Sequence, residues 1–231
     1  KSNAVLLARV IMIPKIIHQI WIGNQYPCPT AWIDTWKKLN PTWKHWLWRE
    51  SDIDALRLVN RVHYDTVERL DGKADIARYE ILLRYGGFYV DADSECLLPL
   101  DDSFIENDSF TCYENETQLP GVISNGYLAC TVDNKLMKQL VEGINQLSPH
   151  VCVNWKWDAS VERDFLWEGC GPGYLTSTVK QMNYKKLKIY PSYYFIPVHN
   201  TGLVYTGSGS VYARHWWGSS LDGYYDCPVE K

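Results

Sequence analysis

Apolar and polar positions follow two rhythms along this chain. IPKIIHQIWIG, residues 13–23, is rich in β-branched residues and closes on Gly23, which predicts a buried first strand. TWKHWLW, residues 42–48, follows Asn-Pro and predicts a second, Trp-rich strand. Between them PCPTAWIDTWKKLN predicts a short helix entered through Pro29, whose fixed φ suits a first turn. SDIDALRLVN, residues 51–60, offers Ser51 and Asp52 as caps and then spaces Ile53, Leu56 and Val59 at helical intervals. DGKADIARYEILLRYGG, residues 71–87, sets Ala74, Ala77, Ile81, Leu82 and Tyr85 on one stripe and stops at a Gly pair, predicting a helix that feeds the strand FYVDA, residues 88–92. Strands are further predicted at 109–114 and 122–130, a helix from Asn134 to about Leu147, a helix with Pro172 near its start over 171–183, and late strands at 186–191 and 210–218. Helix alternating with strand predicts a three-layer α/β sandwich, with antiparallel neighbours in its second half.

The 231 residues fit one domain, and 46% hydrophobic with 22% charged residues is ordinary for a globular chain. A net charge of -4 with no basic stripe argues against a nucleic-acid partner. No apolar run reaches the roughly 18 to 20 residues that span a bilayer. The opening KSNAVLLARVIM carries Arg9 inside its apolar run and no small-residue cleavage site, so it is a poor signal peptide. Residues 1–12 are expected to be a vector-derived or extra N-terminal segment, leaving 13–231 as the domain. Seven Cys without a CxxC pair support neither a zinc ribbon nor a thioredoxin-like motif. The sequons at Asn107 and Asn115 are about as many as chance supplies. Eleven Trp and sixteen Tyr change the picture more, because flat rings beyond the needs of a core stack on sugars and bases.

Candidate chemistry concentrates in GGFYVDADSEC, residues 86–96. If the strand stays extended, Tyr89, Asp91, Asp93 and Glu95 lean to one side, with neighbouring carboxylates roughly 6 to 7 Å apart. At an effective dielectric of about 20 their repulsion is on the order of 2 to 3 kcal/mol per pair. A hard dication, Mn²⁺ or Mg²⁺, relieves it and leaves coordination positions for a diphosphate; the plain alternative is a solvated turn. Asp75 and Arg78, three apart on the preceding helix, form either a functional pair or an exposed ion pair of little worth. Trp21 is a base-stacking ring or a core Trp. His215, in RHWWG, is the best third metal ligand.

Together these stretches resemble the DxD sugar transferases of glycosyltransferase family 32, which includes fungal initiating mannosyltransferases and bacterial polysaccharide enzymes. IPKIIHQIWIG, NPTWKHWLW, KADIARYEILLRYGGFYVDAD, GPGYLT, YPSYYFIP and ARHWWG occur in the family's order over residues 13–218. The resemblance implies a GT-A fold, an α/β/α sandwich with a mostly parallel, mixed central sheet. It also implies Mn²⁺ or Mg²⁺, a UDP- or GDP-sugar donor, a glycan or other hydroxyl acceptor, and retention of anomeric configuration. Trp21, with Ile20 beside it, matches the base-stacking position, and Asp75 and Arg78 match the pair that contacts donor sugar and phosphate. Asp91 and Asp93 match the metal and ribose positions, His215 the late metal or diphosphate contact, and Trp217 the neighbouring aromatic. Asn125, in ISNGY, is the candidate amide near the developing oxocarbenium, against a plain turn role. LWRES departs from the pattern by lacking an acid straight after the second-strand Trp, which leaves Arg49 and Glu50 without a role. A phosphatase of the haloacid dehalogenase type would carry DxD on its first strand, not here. The remaining alternative is a non-catalytic carbohydrate-binding protein or inactive homologue. By relatives, the compartment is cytoplasmic if bacterial or viral and the Golgi lumen if eukaryotic.

Overall fold

All four residues of β3 (Gly87–Val90) are buried, because strands flank both its edges and side chains cover both its faces. Phe88 and Val90 enter an apolar cluster with Trp36, Phe104, Phe110 and Phe195, while Tyr89 enters another with Ile76, Ile81, Leu128 and Leu140, the alternation a strand imposes. The structure, a computed structural model, describes residues 12–149, 169–205, 207–221, 224, 227 and 228. Residues 1–11 of the expected N-terminal segment lie outside these.

A seven-stranded mixed sheet runs through β3, in the order β2 (Lys44–Trp48), β1 (Ile16–Ile20), β3, β7 (Tyr127–Cys130), β5 (Ser109–Asn115) and β6 (Leu119–Ile123), with β8 (Leu187–Tyr190) also on β5. The pairs β1–β2, β1–β3 and β5–β8 are parallel, and the pairs β3–β7, β5–β7 and β5–β6 antiparallel. One face carries α1 (Thr30–Leu39), whose Trp36 meets Phe88 edge-on at 5.8 Å. The other carries α4 (Leu70–Tyr85), α5 (Lys135–Gln146) and α6 (Pro172–Gln181). The expected three-layer α/β architecture is therefore present, and among the described residues most Trp and Tyr rings pack into or against its core.

The passage from α4 into β3 takes no loop at all. Gly86 donates to Leu82 O and has φ +59°, and Gly87 follows at φ +97° as the first residue of the strand. A Cβ on Gly87 would sit 2.6 Å from Ile16 O. Only glycine meets both demands. His18 fills the corner, its Nε2 donating to Gly86 O at 2.9 Å while its Nδ1 accepts from Trp48 Nε1 at 3.1 Å. Burial pushes its pKa down to about 4, so the ring is neutral, as that pair of bonds requires. Gly87→Ala is expected to add about 1–3 kcal/mol of strain and lower the melting temperature by roughly 2–10 °C for a chain this long. A calorimetric trace that overlays the wild type would show that the corner does not need glycine.

Several predicted elements are redrawn. Pro29 lies just outside α1 rather than in its first turn, its carbonyl accepting from Trp32 N and Ile33 N. The helix expected over 51–60 is α2 (Glu50–Leu56), ended by Arg57 at φ +53°. Asp52 reaches back to accept from Arg49 N at 2.9 Å instead of capping from its own position. A further helix, α3 (Arg61–Thr66), follows; the buried Glu80 of α4 anchors its start by accepting from Val59 N and Asn60 N. The strand expected over 122–130 is two, because Ser124, Asn125 and Gly126 turn between β6 and β7. α4 itself buries far more than the expected stripe, adding Ile76, Arg78, Tyr79 and Glu80.

Candidate active site

The strand predicted over 88–92 ends two residues early, at Val90. Asp91 N still donates to Gly126 O, but Ser94 N donates back to Asp91 O at 3.1 Å, so residues 91–94 form a turn. The acids therefore do not share a strand face. Asp91 and Asp93 converge across the turn, while Glu95 leaves on β4 (Ser94–Cys96) to accept from Trp216 Nε1 at 3.2 Å. β4 pairs antiparallel with β9 (Ala213–His215), which sets His215 opposite Ser94. That ladder delivers His215 to the turn.

His215 Nε2 lies 3.3 Å from Asp91 Oδ2 and 3.5 Å from Asp93 Oδ1. Each of the three residues offers a ligand atom, all within 4.8 Å of one another. Two carboxylates and an imidazole nitrogen suit Mn²⁺ or Mg²⁺ in their donor chemistry. Asp93 is held by Gly218 N, which donates to its Oδ2 at 2.6 Å, and by Trp216 N, which donates to its carbonyl at 2.9 Å. Trp217 N donates to His215 Nδ1 at 3.1 Å, from a residue with φ +57°. A bulky side chain in the left-handed region marks a backbone held by its surroundings. The Trp217 ring lies 4.3 Å from the imidazole and its Nε1 donates to Val198 O.

The second cluster surrounds Arg78, and it is buried, contrary to an exposed pair. Side-chain exposures are 5% for Arg78 and 14% for Asp75, whose Oδ1 is 2.9 Å from Arg78 Nη2. The same Nη2 is 3.3 Å from Asp91 Oδ1, and Nη1 donates to Asn125 O at 2.8 Å. Asn125 Nδ2 donates to Asp75 Oδ1 at 2.8 Å, so Asn125 joins both partners of the pair. Tyr89 adds two contacts that the sequence reading did not assign. Its ring lies 4.3 Å from the guanidinium and its hydroxyl donates to Asp91 Oδ1 at 2.9 Å. Gly126 is the other omission: a Cβ there would collide with Asp91 Oδ2.

One guanidinium faces two carboxylates, and they divide its charge unequally. Burial raises the pKa of Asp91, but Arg78 and then His215 more than reverse this and hold it well below the usual range. Asp75 is pushed up to about 7 by burial, which Arg78 only partly offsets, with Asp71 and Asp91 adding to the rise. Burial works against the Arg78 charge, yet Tyr89, Asp91 and Asp75 hold its pKa above the ordinary value. Burial raises Asp93 against the pull of His215. His215, lowered by burial, is lifted by Asp93 and Asp91 to about 9; full protonation would cost it the Trp217 contact, since both atoms would then be donors.

The Asp75 shift has a sign that can be checked. A carboxyl whose folded pKa lies above its ordinary 3.8 binds protons better in the folded chain, so its ionisation lowers stability as pH rises from about 4 to 7. In EDTA, Asp75→Asn is expected to flatten that part of the melting-temperature profile, with its advantage over wild type widening toward pH 7. Parallel profiles would show that Asp75 ionises as freely as in water.

Trp21 packs with Ile33 and with Ala92, the residue between the two acids of the turn. Its ring is 9% exposed, with Tyr224 edge-on at 4.9 Å. Ile20 belongs to the α4 side of the core. Arg49 and Glu50 hold the segment after β1: Arg49 Nη1 donates to Trp21 O and Nη2 to Cys28 Sγ, while Glu50 accepts from Gly23 N.

Residues 30–111 match the family described as "Glycosyltransferase sugar-binding region containing DXD motif". Over that stretch this chain is similar to the DXD glycosyltransferases. The DXD acids are Asp91 and Asp93. Among curated relatives, inositol phosphoceramide mannosyltransferase 3 of Schizosaccharomyces pombe is 29% identical over 57% of this chain and 37% of its own length. An uncharacterized glycosyltransferase of Acanthamoeba polyphaga mimivirus is 36% identical over 45% of this chain and 44% of its own. The chain thus spans less than half the length of these relatives. The ligand-free glycosyltransferase domain of the YGT toxin superposes with a TM-score of 0.58 at 10% identity, covering 77% of this chain and 80% of that one. The chain has the GT-A fold.

Proposed function

We propose that this chain transfers a hexosyl unit from a UDP- or GDP-linked sugar to a hydroxyl of a glycan or other acceptor, with a divalent cation at Asp91, Asp93 and His215 and with retention of configuration. The observation that carries the reading is the position of Asp91, which touches Arg78 through Oδ1 and His215 through Oδ2. It joins a buried guanidinium to a metal-suited cluster, the two features a departing nucleoside diphosphate needs.

A bound Mn²⁺ or Mg²⁺ supplies charge neutralisation to that diphosphate. Arg78 adds a positive charge fixed by four partners, so little reorganisation accompanies the reaction. Asp75 and Asn125 offer a carboxylate and an amide to the donor's hydroxyls and so orient its anomeric carbon. Trp21 offers a ring to the base once Tyr224 gives way. On a front-face path the acceptor's proton passes to the leaving phosphate oxygen, and no protein base is assigned. The S. pombe relative, by its name a mannosyltransferase, and the toxin domain, which has a UDP-bound crystal form, are consistent with this chemistry.

Incubation with Mn²⁺ and a panel of UDP- and GDP-sugars is expected to release nucleoside diphosphate from one donor and to stop on adding EDTA. If no donor is consumed or shifts the melting temperature, the transferase reading fails and a non-catalytic carbohydrate-binding role stands in its place.

A further inference from the structure

β1 buries two polar side chains completely, His18 and Gln19. His18 serves the glycine corner, whereas Gln19 has no task in the scheme above. It stands where β1 and β3 part. Their parallel ladder pairs Ile17 with Phe88 and His18 with Tyr89, and β3 ends at Val90, because Asp91 opens the turn toward β4. There the Gln19 side chain reaches across, its Nε2 donating to Asp91 O at 3.2 Å. A primary amide carries the donor and acceptor of a peptide group, so it supplies one further rung where the two backbones separate.

The carbonyl it meets is also the one that closes the turn, accepting from Ser94 N at 3.1 Å. Asp91 is thereby held from both flanks: its N–H donates to Gly126 O on the β7 side, and Gln19 holds its carbonyl on the β1 side. The far end of the turn has holders of its own. Trp36 Nε1 donates to Ser94 O at 3.0 Å, and the Tyr127 hydroxyl donates to Ser94 Oγ at 2.6 Å. The Gln19 amide is itself oriented. A carbonyl only accepts, so the Gln19 nitrogen faces Asp91 O, its Oε1 faces His45, and His45 Nε2, 2.7 Å away, is the donor. His45 lies on β2 opposite Ile17, whose side chain shares a face with that of Gln19. A chain of bonds therefore runs from the half-buried His45, through a fully buried amide, to the backbone of the turn that brings Asp91 and Asp93 together. Burying an amide costs more than burying a hydrocarbon of its size, so the worth of Gln19 lies in what it holds.

We propose that Gln19, oriented by His45, is a positioning residue for the cation site, setting the Asp91 carbonyl and, through the turn, the approach of the Asp91 and Asp93 carboxylates. The inference rests on the cation that the proposed transferase reading places at these acids. The test compares wild type, Gln19→Met, His45→Ala and His45→Gln, with Mn²⁺ alone as the calorimetric probe. Gln19→Met keeps the length of the side chain and loses both bonds. It should bind Mn²⁺ about tenfold more weakly, the lower end of what partners behind metal ligands are worth. His45→Ala should weaken binding about threefold, and His45→Gln, whose amide can donate to Gln19 Oε1, should return to within about twofold of wild type. His45 lies on the edge strand of the sheet, so its two variants report even if Gln19→Met does not fold. In transfer assays the Mn²⁺ concentration for half-maximal turnover should rise by the same factors, with kcat at saturating Mn²⁺ within about threefold of wild type. The proposal is overturned if Gln19→Met melts lower in EDTA yet binds Mn²⁺ as tightly as wild type, the mark of a packing role, or if His45→Gln binds no better than His45→Ala. A wild type that binds no Mn²⁺ overturns it together with the cation site. Mn²⁺ binding in the expected order with no donor consumed upholds it and ends the transfer reading alone.

Discussion

Asp93→Asn is expected to cut metal-stimulated turnover by about 10²–10³, the size of losing one preorganised electrostatic contact to a developing charge. The substitution keeps shape. An amide oxygen can still accept from Gly218 N, the bond that holds Asp93 in place at 2.6 Å. It removes a charge whose ionisation burial already penalises, so the EDTA-treated variant should melt at or slightly above the wild-type temperature. Added Mn²⁺ gives the sharper contrast. At about 100 times its dissociation constant, a ligand of the folded state stabilises by about 2.7 kcal/mol, roughly 5–10 °C in a chain of this length. Wild type should show that rise and Asp93→Asn should not. Equal rises in both proteins would remove Asp93 from the metal site, and full turnover in the variant would remove the metal from the reaction.

Arg78→Ala should have the largest effect on the fold itself. It leaves Asp75 and Asp91 buried without their shared cation, and breaking a buried pair from one side costs about 3–5 kcal/mol. It also strips the donor from Asn125 O and the cation from the Tyr89 ring. The melting temperature should fall by roughly 6–20 °C, with turnover lost at temperatures where the variant is still folded. Arg78→Lys should recover little, because a single ammonium cannot span partners that the planar guanidinium reaches from two nitrogens. Adding Asp75→Asn to Arg78→Ala should restore part of the stability by removing one orphaned charge. A change in the double variant equal to the sum of the two single changes would show that the two residues are not energetically paired.

The part of this site that could be read in advance lies in a continuous stretch. From Ala74 to Asp93 the helical stripe, the Gly pair and the acids each carry a local signal, and α4, β3 and both metal-suited carboxylates followed from it. Glu95 was misplaced because the pattern of alternation says nothing of where the chain stops being extended; the turn at 91–94 is closed by one backbone hydrogen bond. The burial of Arg78 was hidden for a related reason. A charged residue at its position reads as the wet side of a helix, and what covers it lies outside that helix: the Tyr89 ring and the segment from Ser124 to Gly126, some fifty residues on. His215 was legible as a candidate ligand from its imidazole, but not its arrival at the turn, since the β4–β9 ladder joins segments more than a hundred residues apart.

The seamless corner at Gly86 and Gly87 also limits how this chain can vary in length. Asp75, Arg78, Tyr89 and Asp91 sit on one uninterrupted rail of helix and strand with no slack between them. One residue inserted in α4 would swing everything upstream of it by about 100° around the axis, and one inserted in β3 would turn Tyr89 and Asp91 to the opposite side of the sheet. Substitutions can be absorbed here, but insertions and deletions cannot, so anyone transplanting this chemistry to another scaffold must move residues 70–94 as a single cassette.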